Sequence, residues 1–507
     1  MKKKIINSSD LKILINTLKK KGKKIVQCHG VFDLIHIGHL KHFKSAKNFG
    51  DILIVSVTPD KFVQKGFNRP YFNASQRLES LSSIEDIDYV ILNSTKNAVD
   101  IIKKIKPNFY CKGPDYKNFK DDITNEIKNE LKAVKRCGGK LVFSEDPMYS
   151  SSTILNNETN LYSSSQKLFI NKIRSQINID NLNKKIENLK KLKVLILGET
   201  IIDKYVFCEA LGKSGKEPHL VLRDLNEQTY SGGVIAVAKN LADFCKKITI
   251  ISALGKKKEY ENYIKKNFSK NIKTNFLYRP NIPTIVKKRY IEYISNYKLL
   301  GVYTLNDEAL SKKEELQFQK MINKEILNHD IVIVSDYGHG LISKKTAKLL
   351  CAKSKFLALN AQSNSSNVGY HSIQKYKNVD CVVMNETELR HELRDKNEST
   401  LVLAKKLSSI INIDNIIITK GSSGAIMYNS KNKKYYNCPA FANKVVDKVG
   451  AGDTMLSIIS IFLKLKFSNI VSIFISSLAA ALNVEEMSNK ISINKNKLLK
   501  YFFHIIK

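Results

Sequence analysis

The segment Gly30–Phe43, GVFDLIHIGHLKHF, places His36, His39 and His42 within seven residues. His36 and His39 lie either side of Gly38, where a strand-like run gives way to a helical pattern. Gly30 and Gly38 let the backbone approach a ligand, and a helix opening at about Gly38 points amide N–H groups at it. An imidazole on each side can donate hydrogen bonds to an α-phosphate and stabilise the charge of a five-coordinate transition state. Taken alone, H-x-G-H also fits a pair of capped or core histidines. A second candidate is VDKVGAGDTMLSIISIF, with Gly450, Ala451 and Gly452 just before an apolar helix and Asp453 in its first turn. Amides stacked at that terminus can neutralise a transferring γ-phosphoryl group, and Asp453 can take the proton of an attacking hydroxyl. A glycine hinge with an N-capping aspartate is the structural alternative there.

The elements that must position these residues form two α/β patterns. Residues 24–58 read strand, turn, helix, strand, with Leu40, Phe43, Ala46 and Phe49 along one side of the helix and a buried-type run in DILIVSVT. DYVILN and GGKLVFSED add strands, which predicts a small doubly wound domain over residues 1–157. Residues 158–190 turn to Asn, Ser, Lys and Gln and read as a linker that becomes a leading helix. From Lys193 a second α/β pattern begins with KVLILGETIIDKY and recurs in KITIISAL, DIVIVSDYG, KFLALN, CVVMN and NIIITKG. VLRDLNEQTYSGG and TIVKKRYIEYISNYKLLGVYTL predict paired strands, a small β-lid over that sheet. The second domain spans 191–507.

Composition narrows the function classes. A chain of 507 residues, 43% hydrophobic and 26% charged, is that of a soluble globular protein with two or three domains. It holds no apolar run long enough to span a membrane. The lysine-rich start has no apolar segment or cleavage site, so a cytoplasmic location is expected. Eight cysteines stand apart without a C-x-x-C pair, so buried free thiols are expected, and no residue is assigned to a protein-held metal centre. The net charge of +37 comes from lysine spread end to end among Asn and Ile. That fits a compositional bias, attracts anionic small molecules, and does not point to specific nucleic-acid binding.

The motifs also resemble known families, in order and spacing. GVFDLIHIGHLKHFKSAKNFGD is similar to the signature of the cytidylyltransferase-like nucleotidyltransferases, matching Gly30, Phe32, Asp33, His36, Gly38, His39, Lys47 and Gly50-Asp51. NRPYFNASQR resembles their later elements through Arg69 and Arg77. YCKGPDY matches a K-G-x-D-Y element through Lys112, Gly113, Asp115 and Tyr116. YSSSTIL stands where a closing Ser/Thr-rich motif holds the triphosphate, through Ser151, Ser152 and Thr153. The resemblance covers about residues 20–157. It implies an in-line nucleotidyl transfer in which His36 and His39 act as transition-state donors supported by Lys47. Class I aminoacyl-tRNA synthetases share H-x-G-H, but their K-M-S-K-S signature is missing.

Residues 190–490 resemble the ribokinase-like carbohydrate kinases. Asp203 stands where that family holds sugar hydroxyls, and SGGVIAVAKNL, with Gly232, Gly233 and Asn240, is a variant of its substrate motif. Asn385 and Glu388 form its N-x-x-E element, linked to magnesium and phosphate. Lys420, Gly421 and Gly424 stand in its nucleotide loop. Gly450, Ala451, Gly452 and Asp453 complete the resemblance, and Asp336 in DYGHGL is expected to be structural. Both halves together resemble the bifunctional heptose-7-phosphate kinase/heptose-1-phosphate adenylyltransferase family with the domain order reversed.

The resemblance implies ATP and Mg2+ for phosphorylation of a sugar phosphate, ATP or CTP for nucleotidyl transfer, and a homodimer through the kinase domain. The product would be a nucleotide-activated sugar for surface polysaccharide. The alternatives are another sugar or polyol phosphate with CTP, or a sugar-binding regulatory protein with one inactive domain. Two departures bear on the sugar. Ala236 replaces the asparagine of G-G-A-A-N, and AQSNSSNVGYHS after Asn360 replaces an Asp-Pro-Lys segment. A neutral amide row at Asn360, Gln362, Ser363 and Asn364 suits hydroxyls or an acetamido group.

Overall fold

The computed structural model describes residues 4–63, 69–114, 126–144, 162–305, 307–362, 367 and 369–506. Asp115, Ser151, Ser152 and Thr153 lie outside the described residues, as do Tyr116, Ser363 and Asn364. The chain divides into two compact units, Met1–Lys167 with Leu499–Lys507, and Leu168–Leu498.

The first unit is built on six strands: β1 (Ile5–Ile6), β2 (Ile25–Gly30), β3 (Ile52–Val57), β4 (Tyr89–Leu92), β5 (Phe109–Lys112) and β6 (Lys140–Phe143). They run parallel in the order β1-β4-β3-β2-β5-β6. Both faces of β2 and β3 are buried, which is why their sequences are continuous apolar runs. The chain moves from β2 to β3 on one side and returns to β5 on the other. The crevice at that reversal, beyond Gly30 and Lys112, is where an open parallel sheet holds ligands.

The helix expected at Gly38 is Ile37–Lys47. Its Phe43 and Ala46 are fully buried, whereas Leu40 is 38% exposed and lies outside the core. The linker region contains two helices, Ser164–Arg174 and Ile179–Asn188.

The second unit has a nine-stranded sheet made of β7 (Lys193–Gly198), β10 (Lys247–Gly255), β11 (Ile272–Arg279), β14 (Ile331–Asp336), β15 (Leu357–Ala361), β16 (Val379–Asn385), β17 (Ile413–Thr419), β18 (Ala425–Asn429) and β19 (Lys434–Cys438). Its order is β11-β10-β7-β14-β15-β16-β17-β18-β19, antiparallel only at β18 and β19. The reversal here falls between β7 and β14. The apolar helix Ala451–Lys464 is almost wholly buried.

The expected lid is a separate four-stranded sheet, β13-β12-β8-β9. It comprises β8 (Thr200–Lys213), β9 (Leu220–Gly233), β12 (Ile285–Glu292) and β13 (Lys298–Thr304). The sequence expectation put β9, β12 and β13 together as paired strands; β12 and β13 do pair, whereas β9 pairs with β8. That expectation did not include β8, which joins them as the parallel partner of β12.

Candidate active sites

In the first unit His36 takes an extended backbone and caps the helix Ile37–Lys47. Gly38 N donates to its Nδ1 at 3.1 Å, and His36 N reaches His39 Nδ1 at 3.4 Å. The two rings lie 3.9 Å apart between centroids, so both imidazoles stand at one helix N-terminus. Phe32, at φ 50°, packs 5.2 Å from Phe43 and edge-on to His39 at 5.6 Å. A Cβ on Gly30 would come 2.9 Å from the Phe32 ring, so a side chain there would have to displace that ring.

Other motif residues of that unit are consumed by the fold. Asp33 pairs with Arg69 at 3.1 Å and accepts Phe72 N at 3.0 Å. Arg77, expected to bind nucleotide, is buried and donates to the carbonyls of Phe72, Val31 and Thr58 and to Asp60. All three of its guanidinium nitrogens donate to groups of the fold itself. Lys47 is not brought to the histidines: it bonds Asp51 O at 2.7 Å and pairs with Asp88, roughly 15 Å along its helix from His36. Lys112 stands at the crevice beyond β5, in a buried ion pair with Glu130 at 2.9 Å.

The second unit assembles its site around Asp453. Ser335 Oγ donates to Asp453 Oδ1 at 3.1 Å, and Tyr337 OH donates to Oδ2 at 2.6 Å. Burial pushes the Asp453 carboxyl up to about 6, and the charge of Asp203 adds to the rise, while the two hydroxyls and Lys287 pull it down. A carboxyl poised there can hold a proton taken from a hydroxyl at neutral pH. Gly450 caps the helix at φ 85°, against Asn489, where a Cβ would overlap the amide.

Asp203 is buried on β8, opposite Lys287 of β12 in register, and ion-pairs with Arg289 two residues further along β12. A Cβ on Gly232 would overlap the Asp203 carboxylate, and one on Gly233, at φ 56°, would overlap Glu199 O. Gly232 therefore leaves the room in which the Asp203 carboxylate sits, and Gly233 lets the chain pass Glu199. Burial holds the Lys287 ammonium below its ordinary range.

Asn240, expected to bind sugar, is turned into the fold. Its Nδ2 donates to Thr454 Oγ1 at 2.9 Å and its Oδ1 accepts Ile493 N at 3.1 Å, tying the helix Val234–Leu241 to the first turn beneath Asp453. Asn385 and Glu388 form a reciprocal cap of the helix Glu386–Leu393, each bonding the other's backbone N–H at 2.8 Å. Lys420, Gly421 and Gly424 make the tight turn after β17, closed by Lys420 N to Gly424 O at 2.8 Å.

Asp336 accepts from Tyr376 OH, Lys375 Nζ and Gly338 N within the core. Nearby, Glu199 accepts the backbone N–H groups of Tyr337 and His339, and burial with the charge of Asp336 pushes its carboxyl up to about 7.

Sequence reading missed Ser335, Tyr337, Lys287 and Arg289. Tyr337 and Ser335 flank Asp336 in the quoted DYGHGL region, and the period-two spacing of Lys287 and Arg289 on a strand put them on one face. Asn360, grouped by sequence with a sugar-reading amide row, is the penultimate residue of β15, beside the glycine turn. Its Nδ2 lies 3.5 Å from where a Gly452 Cβ would stand, and its buried Oδ1 accepts no hydrogen bond among the described residues.

A family model described as pfkB family carbohydrate kinase matches residues 191–496, and one described as cytidylyltransferase-like matches residues 28–166. The chain belongs to the pfkB family of carbohydrate kinases and carries a cytidylyltransferase-like domain ahead of the kinase domain. Its N-terminal part is similar to the bifunctional protein HldE of Aliarcobacter butzleri, 41% identical over 24% of this chain and 25% of the relative. The HldE of Nitratiruptor sp. is 36% identical over 26% of this chain and 29% of the relative. These matches span about a quarter of each relative's length. The phosphofructokinase-2 of Escherichia coli, solved in complex with substrates and products, shares the fold of the second unit. It aligns over 62% of this chain and 100% of its own, with a TM-score of 0.51 at 16% identity.

Proposed function

We propose that the chain is a bifunctional enzyme with two separate activities, phosphorylation of a sugar phosphate at its anomeric hydroxyl to give a bisphosphate, and joining of a sugar 1-phosphate, freed of any second phosphate by a separate hydrolysis, to a nucleotide. The observation that carries this reading is the presence in one chain of two phosphate-handling helix termini, one flanked by His36 and His39 and the other by a buried Asp453 under a glycine turn. The resemblance to HldE proteins points to a heptose-like sugar and an ADP- or CDP-linked product for surface polysaccharide. The domain limits that go with it are 1–157, a connecting 158–190, and 191–507.

In the kinase step Asp453 takes the proton of the sugar hydroxyl as its oxygen attacks the γ-phosphorus of ATP. The bond from that phosphorus to the β,γ-bridging oxygen breaks, and ADP leaves. The Gly450–Gly452 turn faces the γ-phosphoryl group, and Lys420, Gly421 and Gly424 form the nucleotide loop. Asp203, set by Gly232 and Gly233, orients the sugar. The Lys287–Arg289 pair beside it suits an acceptor that carries a phosphate of its own.

Mg2+ neutralises triphosphate charge when bound. The side-chain oxygens of Asn385 and Glu388, placed together by their reciprocal cap, would be the residues that hold it. In the second step the sugar 1-phosphate attacks the α-phosphate in line and expels pyrophosphate. His36 and His39 donate to the developing charge, Lys112 lies across the crevice, and Ser151, Ser152, Thr153 and Asp115 complete the triphosphate and sugar contacts by family resemblance. No side chain at this terminus forms a covalent nucleotidyl intermediate.

The protein would work in the cytoplasm without a nucleic-acid or membrane partner. No helix among the described residues is long and apolar enough to cross a membrane. Leu211, Leu220, Leu225, Leu300 and Val302 of the lid strands are about half exposed, which supports a homodimer through the kinase lid. The test of the function is incubation with a panel of sugar phosphates, ATP and CTP, with products identified by mass. A bisphosphorylated sugar and a nucleotide sugar are expected. Formation of neither, in a folded protein, would reject the reading.

A further inference from the structure

We propose that the first unit holds a thiophilic divalent metal ion of the zinc class between Cys28, Cys111 and His42, directly beneath its phosphate site. Among the described residues, one group of three side chains with metal-ligating atoms lies within 4.8 Å of one another, and it is this one. Cys28 and Cys111 are register partners across the β2–β5 boundary, the place where the sheet reverses. Both thiols are buried, at 0% and 1% exposure, while His42 comes in half-buried from the helix Ile37–Lys47. Two buried cysteines alone would be ordinary core thiols. The imidazole of His42 changes the chemistry, because it adds a nitrogen donor within 4.8 Å of both sulfurs.

His42 Nδ1 lies 2.9 Å from Ser144 Oγ, just beyond β6. A histidine ligand held by a second hydrogen bond of this kind has its ring orientation fixed. Two thiolates, one neutral imidazole and a divalent cation sum to zero charge. A layer that excludes water tolerates such a site where it would reject a lone ion. Two sulfurs and one nitrogen favour zinc-class ions over magnesium or calcium. As the metal–sulfur bonds form, each thiol passes its proton to solvent, and nothing is oxidised.

The three donors belong to the elements that carry the phosphate site. Cys28 precedes Gly30 by two residues, Cys111 precedes Lys112, and His42 follows His39 by one turn. An ion here fastens those elements to one another below the reacting groups without touching the substrate. The cluster was invisible to spacing rules because its ligands come from three separated segments.

The test uses the full chain, reduced, stripped of metal with a chelator and titrated with Co2+ without air. A near-ultraviolet thiolate-to-cobalt charge-transfer band should rise, saturate at one equivalent and disappear when Zn2+ is added. Cys111→Val, which keeps the strand apolar, should lose the band, whereas Cys245→Ser in the second unit should keep it. Zinc-edge X-ray absorption of the unsubstituted chain gives a reading that needs no variant, and two sulfur neighbours are expected. No saturable band, a band that survives in Cys111→Val, or fewer than two sulfur neighbours would each overturn the assignment.

Discussion

The carboxyl of Asp453 is held near 6 by burial, and the hydroxyls of Tyr337 and Ser335 keep it from rising further. Its ordinary value is 3.8, so the folded state favours the protonated acid. That preference stabilises the fold at low pH and is lost as pH rises through about 6. Asp453→Asn should therefore abolish phosphorylation and spare nucleotidyl transfer. It should also stabilise the second unit near neutral pH by up to about 3 kcal/mol, a gain that vanishes in acid. Thermal unfolding across pH checks the second part, and equal stability at neutral pH would contradict the assigned environment. Tyr337→Phe removes a bond that lowers this carboxyl, so the acid limb of kinase kcat/KM should move to higher pH. A limb that stays in place would mean Tyr337 does not act through Asp453. In the other unit His39→Ala should lower nucleotidyl transfer by at least about 100-fold with phosphorylation unchanged. Loss of both activities in a folded variant would refute two separate sites.

Strands, the helix after Gly38 and the lid were legible because burial imposes period and continuity on sequence. Individual side chains were less legible, because a motif position names a residue type and leaves its direction unstated. Arg77 and Asn240 occupy motif positions yet spend their hydrogen bonds on backbone and on Thr454. Lys47 is carried to the far end of its helix by the 1.5 Å rise per residue. Leu40 shows the same limit in the core, since a residue on the apolar side of a helix still meets solvent where that helix's first turn faces the site crevice. Arg77→Leu would strand three carbonyls in a buried setting and should destabilise the first unit by about 3 kcal/mol or more. Urea unfolding followed in both units measures this, and the second transition should not move. Gly232→Ala forces a methyl group into the Asp203 carboxylate and should cut phosphorylation at least about 100-fold. Near-normal turnover in that variant would show that Asp203 does not set the sugar.

Across the whole molecule, 84 basic residues against 47 acidic ones give a field that draws anionic substrates to both units. That field cannot say which sugar phosphate is used. The answer lies in the groove between β8, β12 and the Gly-Gly pair. The replacement of a family asparagine by Ala236 removes a group that could read a hydroxyl, and Ala236 is buried in the helix Val234–Leu241. Asn360 stands beside the glycine turn, so under the proposed function the second departure from the family would bear on the transferring phosphoryl end. Beside Asp203 stand Lys287 and Arg289, the latter already its ion-pair partner, and under the proposed function these two cations would face an acceptor's phosphate. These placements favour a phosphorylated sugar that lacks, or differently presents, one hydroxyl of D-glycero-manno-heptose 7-phosphate. A missing hydrogen-bond partner in a closed sugar site costs on the order of 1–3 kcal/mol, and more where a buried group is left unpaired. Authentic heptose 7-phosphate should then be phosphorylated with kcat/KM about 10- to 100-fold below that of the best sugar in a panel of phosphorylated epimers and deoxy sugars. Heptose 7-phosphate ranking first, at the efficiency ordinary for a metabolic enzyme, would show that Ala236 is a neutral change in a heptose kinase.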